Sequence, residues 1–444
     1  MTFGRLLSSE EPFRPTPQSA GRFGRRTVTE SRREHLGRLA TMVIGGVGAA
    51  ACAQPRPAAG PSPRDPRRRV RVGLTLGVSS VQVGARGAVV AAENGSTVLR
   101  MKSGDSVSVR QDGDGLRVAG GGRSARFGSL MFRPADRGAL VTVGGAAYRG
   151  TVGIARRDGG INVINELGLE EYVQGVVGAE MGRLAGSQRA ALAAQAVASR
   201  TYAVANRGRF QRQGFDVRAG VADQVYRGVQ SEIPDGNRAV RDTRGLVMTY
   251  GGDVIVVFFH STCGYATASP EEVFRTVRPR PYLTSVSDRR GRGERYYCAA
   301  SPQFRWRVEW DGAQLSEILR STVPQSLGID ADRVTTIHDV TVRATGRSGR
   351  VTEIRVRVDG GEIPVFGPDV RAVFRTPAGR PLGSTAMQLS VDRSGGRLVH
   401  LAAAGAGWGH GVGMCQWGAI GRSADGQSFR DILAAYYPGT DVSG

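Results

Sequence analysis

Hydrophobic and polar positions change period twice along the chain. From Arg71-Val-Gly-Leu-Thr-Leu76 to about Asn165, short Val-rich runs are broken by Gly, Asp and Asn at intervals of about ten residues. They are Ala88–Ala92, Thr97–Met101, Ser106–Arg110, Leu140–Val143 and Ile161–Ile164. Such spacing with turn residues between the runs predicts antiparallel strands. At Leu169 the period becomes helical, with Leu169, Tyr172, Val173, Val176 and Val177 on one face. The Ala-rich stretch Gln188–Asn206, free of Gly and Pro, predicts a second helix with Ser187 as its cap and Gly208 as its stop. Val254–Phe259 is continuously apolar and reads as a buried strand, followed by loops to Ser301. Beyond it come a helix around Leu315–Leu319, two strands across Asp339–Val358 turning at Gly346–Gly349, and an amphipathic helix Phe429–Tyr437 stopped by Pro438-Gly439. The pattern predicts an α+β protein, a mostly antiparallel β scaffold with inserted helices.

Before Arg71 the pattern is different. An Arg-rich start, the apolar stretch Leu39–Ala51 and a Pro-rich segment follow the order of an export signal, too short for a confident bilayer span. Cleavage after Ala53 and lipid attachment at Cys52 are the two processing routes. The expected organisation is a leader over 1–55, a disordered linker over 56–70 and a folded region over 71–440. The last divides into an N-terminal β region (71–165), a catalytic region (166–310), a β-rich insert (311–400) and a C-terminal Gly/Trp/His loop with a helix (401–440).

Composition is that of an ordinary globular protein, with 40% hydrophobic and 22% charged residues. The net charge of +21 favours polyanionic neighbours. Arg excess near the leader and the lack of any recognised nucleic-acid module argue against nucleic acid as the partner. Four cysteines, Cys52, Cys263, Cys298 and Cys415, include no CxxC pair, which excludes a zinc ribbon. For an exported protein a Cys263–Cys298 disulfide is the simpler expectation, and a metal shared by His260, Cys263 and Cys298 is the alternative.

Five segments carry candidate chemistry. In Leu169–Met181, Glu180 follows Val176-Val-Gly-Ala with no cation before Arg183, surroundings that raise a carboxyl pKa and suit a proton donor. Glu170 and Glu171 lie at the helix start, where the dipole accounts for them. On the Ala-rich helix, Gln195, Ser199 and Tyr202 share a face. Asp223, Gln224 and Tyr226 fall in a loop whose composition suits sugar recognition. Phe259-His-Ser-Thr-Cys-Gly-Tyr265 follows the apolar run, and no Gly-x-Ser-x-Gly elbow surrounds Ser261. Gly407-Trp-Gly-His-Gly-Val-Gly-Met-Cys-Gln-Trp-Gly-Ala419 has the composition of a ligand-lining loop and lacks the Lys of a phosphate loop.

Taken in order, these segments, with Pro281-Tyr-Leu283, Ser301–Trp306 and Tyr436-Tyr-Pro-Gly439, resemble the SpoIID/LytB domain family over about Arg71 to Gly439. The sequence departs from the family at Gly182, where Pro is common, and at Tyr265, where a second Gly often stands. It also lacks a cysteine that some members carry ahead of the position of Cys298. The resemblance implies peptidoglycan lytic transglycosylase activity. The MurNAc–GlcNAc β-1,4 bond would be cut to leave a 1,6-anhydro-MurNAc end, with Glu180 as catalytic acid/base. Groove residues would be Gln195, Arg200, Tyr202, Asp223, Gln224, Tyr226, His260, Ser261, Thr262, Trp408, His410 and Gln416. It implies peptidoglycan glycan strands as partner, an exported protein in the periplasm or envelope, and membrane contact only through the signal segment or a lipidated Cys52. No cofactor is assigned; some relatives bind zinc near Cys263 and Cys298. Other relatives act through a cell-wall amidase, so a non-catalytic amidase enhancer is the alternative reading.

Overall fold

The computed structural model describes residues 69–444 except 158, 275, 276, 294 and 368. The leader, Cys52 and all but the end of the linker lie outside the described residues. The fold is α+β, with mostly antiparallel sheets and several helices.

Two sheets form the N-terminal part. The first runs in the order Val217–Arg218, Arg69–Val78, Gly160–Gly168, Thr151–Arg157, Ser129–Pro134, Val89–Glu93, Ser96–Met101. Every neighbour in it is antiparallel except Val217–Arg218, which joins Arg69–Val78 in parallel. The second sheet orders Ala146–Tyr148, Leu140–Val143, Ser80–Arg86, Ser106–Asp112, Gly115–Gly120, Arg123–Phe127, all antiparallel. Alternate apolar side chains such as Val70 and Val72 from one, and Val107 and Val109 from the other, enter a common core. Between Val89–Glu93 and Ser96–Met101 the chain reverses in two residues, Asn94 (φ 48°) and Gly95 (φ 86°). Both central residues thus take the positive φ that a tight hairpin needs.

Gly160–Gly168 runs directly into α1, Leu169–Met181, whose start is held by the Gly168 N–H donating to Glu171 Oε2 at 3.0 Å. α2, Arg189–Ala205, is buried from Ala191 to Ala203. Small Ala side chains let neighbours approach it on every face. These neighbours are α1, α3 (Pro234–Asp242) and the C-terminal helices Gln416–Ala424 and Phe429–Tyr436. Ser187 does not cap α2; it lies in the one-turn helix Gly186–Gln188, and the position before Arg189 makes no side-chain cap bond.

The apolar run Val254–Phe259 is not a continuous strand. Only Asp253–Val254 and Phe259–His260 are paired. Between them the backbone bonds elsewhere, with Val256 N–H donating to Tyr282 Oη at 3.2 Å and Phe258 O accepting from Met414 N–H at 3.1 Å. Burial of Ile255 and Val257, with Val256, Phe258 and Phe259 partly buried, accounts for most of the apolar composition, while Val254 is exposed.

A second hydrophobic cluster, from Trp310 to Ala403, has its own members. It is enclosed by two three-stranded sheets, Arg305–Asp311/Arg397–Ala406/Met387–Ser394 and Ile337–Thr345/Val351–Val358/Gly361–Phe366, and by helix Gly312–Leu327. Asp311 caps that helix by accepting Gln314 N–H at 2.8 Å, and Gln314 Oε1 accepts the Asp311 N–H at 3.4 Å.

Candidate functional site

Glu180 occupies the last turn of α1 and is half-buried. Two glycines on that helix bring its partners in. A Cβ on Gly175 would meet the Tyr226 ring at 2.6 Å, and one on Gly178 would run into the Ser231 carbonyl. Without them, segment 223–231 packs flat on α1 and delivers the Val225 N–H to Glu180 Oε1 at 2.8 Å. The other oxygen, Oε2, accepts Gln416 Nε2 at 3.1 Å, and the same amide lies 3.4 Å from Gln195 Oε1. Gln195 is fully buried and donates to Ser199 Oγ at 3.0 Å. Burial raises the Glu180 carboxyl above its ordinary value, and the two hydrogen bonds from Val225 and Gln416 pull in the opposite direction without cancelling it. Among the described residues no cation pairs with it. The carboxyl thus keeps a proton further toward neutrality than an ordinary Glu.

Several expected groove residues serve as supports instead. Arg200 is wholly buried in a bidentate pair with Glu170 (2.9 and 2.7 Å) and donates to Leu246 O at 3.1 Å. That pair occupies its donor fork, so it presents nothing to a sugar, and it gives Glu170 its role. Tyr226 is buried, donates to Asn165 Oδ1 at 2.8 Å and packs on Tyr172 at 5.2 Å, so its ring is not a stacking platform. Gln224 is buried and accepts from Tyr172 Oη at 2.9 Å. The Asp223 carboxylate accepts from Tyr202 Oη (2.6 Å), Arg209 (2.8 Å) and the Arg218 N–H (2.8 Å). It is therefore saturated, and Tyr202, itself buried, is its donor. In each case a polar group taken out of water has found an internal partner.

The Gly-rich C-terminal segment is part loop and part helix. Its chain crosses Phe259-His-Ser-Thr-Cys: Phe259–His260 pairs in parallel with Met414–Cys415, and Thr262 and Trp408 exchange backbone bonds of 3.0 and 2.8 Å. His410 Nε2 lies 2.9 Å from Phe259 O, and its Nδ1 accepts the Val412 N–H at 3.0 Å. Burial and the neighbouring His260, 5.5 Å away, push its pKa well below the usual value, so both nitrogens of a neutral ring are spent on backbone. His260 is buried with Nδ1 3.2 Å from Val412 O. Thr262 is buried against Ser301 Oγ at 2.7 Å. Trp408 and Ser261 remain half-exposed, and the Ser261 carbonyl accepts Trp417 N–H at the start of helix Gln416–Ala424. The side chains left to meet a ligand are thus Glu180, Ser261 and Trp408, with Gln416 just beneath.

Cys263 and Cys298 are free, their sulfurs 3.6 Å apart, so the expected disulfide is absent. They meet two residues that sequence reasoning had not connected to them, Cys415 and Asp288, and the four donor atoms lie within 4.8 Å of one another. Burial pushes the Cys263 thiol up, and burial with the adjacent Cys415 pushes Asp288 up to about 7. Cys415 is held well below its usual value: burial opposes ionisation, but hydrogen bonds from Cys263, Cys298 and His260 outweigh it. The signal for this cluster lay in the three cysteines remaining after the leader. Its composition became legible only once four distant segments converged.

Comparison with known proteins finds matches over the same segments. A Stage II sporulation protein family model matches residues 157–250, which hold α1, α2 and the 223–231 segment, and a model for a domain of unknown function matches 292–413. An uncharacterised protein of Brachyspira hyodysenteriae is 29% identical over 353 residues, covering 78% of this chain and 84% of that protein. Stage II sporulation protein D of Bacillus subtilis is 27% identical, covering 63% of this chain and 76% of its own length. The amidase enhancer of Bacillus subtilis is 26% identical, covering 57% of this chain and 38% of that longer protein. With the motifs in order and the carboxyl on α1, these matches support the SpoIID/LytB family for this chain.

Proposed function

We propose that the protein is a peptidoglycan lytic transglycosylase of the cell envelope, with Glu180 as its single acid/base. The observation that carries this reading is the desolvated Glu180 carboxyl, held by Val225 N–H and Gln416 and free of any cation among the described residues. Similarity to proteins named Amidase enhancer and Stage II sporulation protein D supports a cell-wall related role, and a substrate outside the cytoplasm would require export.

Protonated Glu180 donates to the oxygen leaving C1 of the muramyl residue. The carboxylate so formed then takes the proton of that residue's own 6-hydroxyl as its oxygen closes onto C1. Both bonds change within one sugar, no water is consumed, and the 1,6-anhydro end results. One carboxyl group is enough, because the second nucleophile belongs to the substrate and its proximity does much of the work. Asp223, tied to Arg209 and Tyr202, is not needed as a second carboxylate. Half-exposed Trp408 and Ser261 are the groups through which a strand is held.

Similarity to the amidase enhancer favours a second reading, in which the chain binds glycan and stimulates a cell-wall amidase. Incubating mature protein and Glu180→Gln with purified glycan strands, with and without peptide stems, separates the two. Anhydro-muramyl ends from the wild type and none from the variant support cleavage; binding without cleavage by either protein transfers the reading to amidase enhancement.

A further inference from the structure

We propose that the outward face of the second N-terminal sheet binds a linear acidic polysaccharide, with Arg110, Arg117 and Arg126 as the row that meets its carboxylates. The register sets these three side by side. Arg110 of Ser106–Asp112 lies directly opposite Arg117 of Gly115–Gly120, and Arg117 lies directly opposite Arg126 of Arg123–Phe127. Residues paired across a ladder share a face, and the adjoining Val109 and Val118 are buried in the core, so the arginines stand on the solvent side. Ser80 of Ser80–Arg86 continues the row.

Folding alone does not account for it. Like charges directly opposite one another destabilise a sheet. Charge on an edge strand keeps it from pairing with another chain, which explains Arg123 and Arg126, but Arg110 and Arg117 belong to interior strands. Residues 106–127 carry four arginines against two aspartates and no other charge. Asp112 Oδ2 lies 2.6 Å from Arg117 Nη2, and Asp114 pairs with Nη2 of Arg126. Exposed pairs of this kind hold weakly. Among the described residues the guanidinium of Arg110 has no ion pair, and Nε and Nη1 of Arg117 and Arg126 have no hydrogen-bond acceptor.

The shape beside the row suits a sugar chain. A second row in register consists of Gln82, Ser108, Ala119 and Ser124, and a third of Thr142, Gly84 and Ser106. Nothing in these rows is larger than Gln82, so the face is a shallow shelf with guanidinium groups along one side. Its hydroxyl and amide groups bond sugar hydroxyls. The rows hold no aromatic ring on which the bases of a single-stranded nucleic acid could stack. They also hold no large apolar side chain to receive an amphipathic helix. A chain with one carboxylate on each sugar residue repeats its charge at a length close to the strand spacing of about 4.8 Å, so a polymer lying across the three strands offers each arginine one partner.

This inference is independent of the proposed glycan cleavage, and its test reads binding and stability. The probe is polygalacturonate, with its methyl ester as the uncharged chain of the same backbone. Mature protein at low salt should bind polygalacturonate and not the ester. Arg110→Gln, Arg117→Gln and Arg126→Gln made together should weaken binding at least about tenfold, because three individually weak charge pairs act jointly. The same variant should have a Tm equal to or above that of the wild type, since repulsion across the sheet is relieved. Replacing Arg333, Arg343 and Arg397, exposed arginines of the insert, by Gln should leave binding within about twofold, as charges remote from the polymer are screened. Equal weakening by both triple variants would reduce the effect to net charge and overturn the proposal. Failure to bind polygalacturonate, or equal binding of its ester, overturns it too, and so does a lowered Tm with binding intact, which assigns the row to stability. Single-stranded DNA bound more tightly through the same three arginines would overturn the polysaccharide as occupant.

Discussion

At the scale of single residues, the same composition serves opposite ends depending on who the partner is. Glu170 and Glu180 lie on one helix, yet Glu170 is neutralised by Arg200 while Glu180 meets only neutral donors. Because burial raises the Glu180 pKa, the folded state binds a proton more tightly there than the unfolded chain does. Stability is therefore lost as pH rises from the ordinary carboxyl range through the raised value, and is level above it. Glu180→Gln should be at least as thermostable as wild type at pH 7, with the two Tm curves converging below about pH 4. A gap that does not change with pH would refute the assignment of a desolvated carboxyl. The same shift places the alkaline fall of any cleavage rate above the ordinary carboxyl range, since the acid must start protonated. Arg200→Ala works in the other sense. It strands Glu170, partly open to solvent, and should cost about 2–4 kcal/mol in urea unfolding. Strand binding per folded molecule should stay unchanged, and a loss of binding with stability intact would return Arg200 to the ligand side.

Among elements, the contact of α1 with segment 223–231 decides whether the carboxyl has its donors. Replacing Gly178 by Ala on an ordinary helix would gain about 1 kcal/mol from propensity. Here the new methyl group meets the Ser231 carbonyl, and overpacking of this kind costs about 1–3 kcal/mol, so the net expectation is destabilisation. Displacing the segment also withdraws the Val225 N–H from Glu180, so cleavage should fall more than folding does. Equal or greater urea resistance in Gly178→Ala would show that the close approach is not required. The apolar period predicted α1 and α2, and the strands of the N-terminal region from Arg69 onward, because each buries one face or all of its surface in a fixed repeat. It misread Val254–Phe259, since an apolar run records burial and not the bonding of its backbone. It also took all of Gly407–Ala419 for a loop, although Gln416 begins a helix, because the frequent glycines mask a turn stabilised by its packing.

Over the whole molecule, the positive charge is not confined to the leader; the larger part of the excess falls after residue 68. Exposed arginines such as Arg183, Arg212 and Arg227 belong to the described part. Binding of mature protein to isolated wall sacculi should weaken markedly between low and physiological salt, as screening shortens the reach of these charges. Retention independent of salt would mean that attraction to the polyanionic wall plays no part.

The sequence by itself determined the α+β class, the resemblance to a family through its ordered motifs, and Glu180 as the carboxyl lacking a nearby cation. These follow from period, spacing and neighbours along the chain, which are local quantities. Only the tertiary structure decided which polar residues face inward. Arg200, Tyr226, Gln224 and Asp223 resemble ligand-binding residues in the sequence, but each is buried against a partner 30, 61, 52 or 21 positions away. The Cys263–Cys298–Cys415–Asp288 cluster and the Gln416 bond to Glu180 likewise join residues from opposite ends of the domain. Burial and pairing depend on which segments meet, and no pattern along the chain encodes that meeting directly.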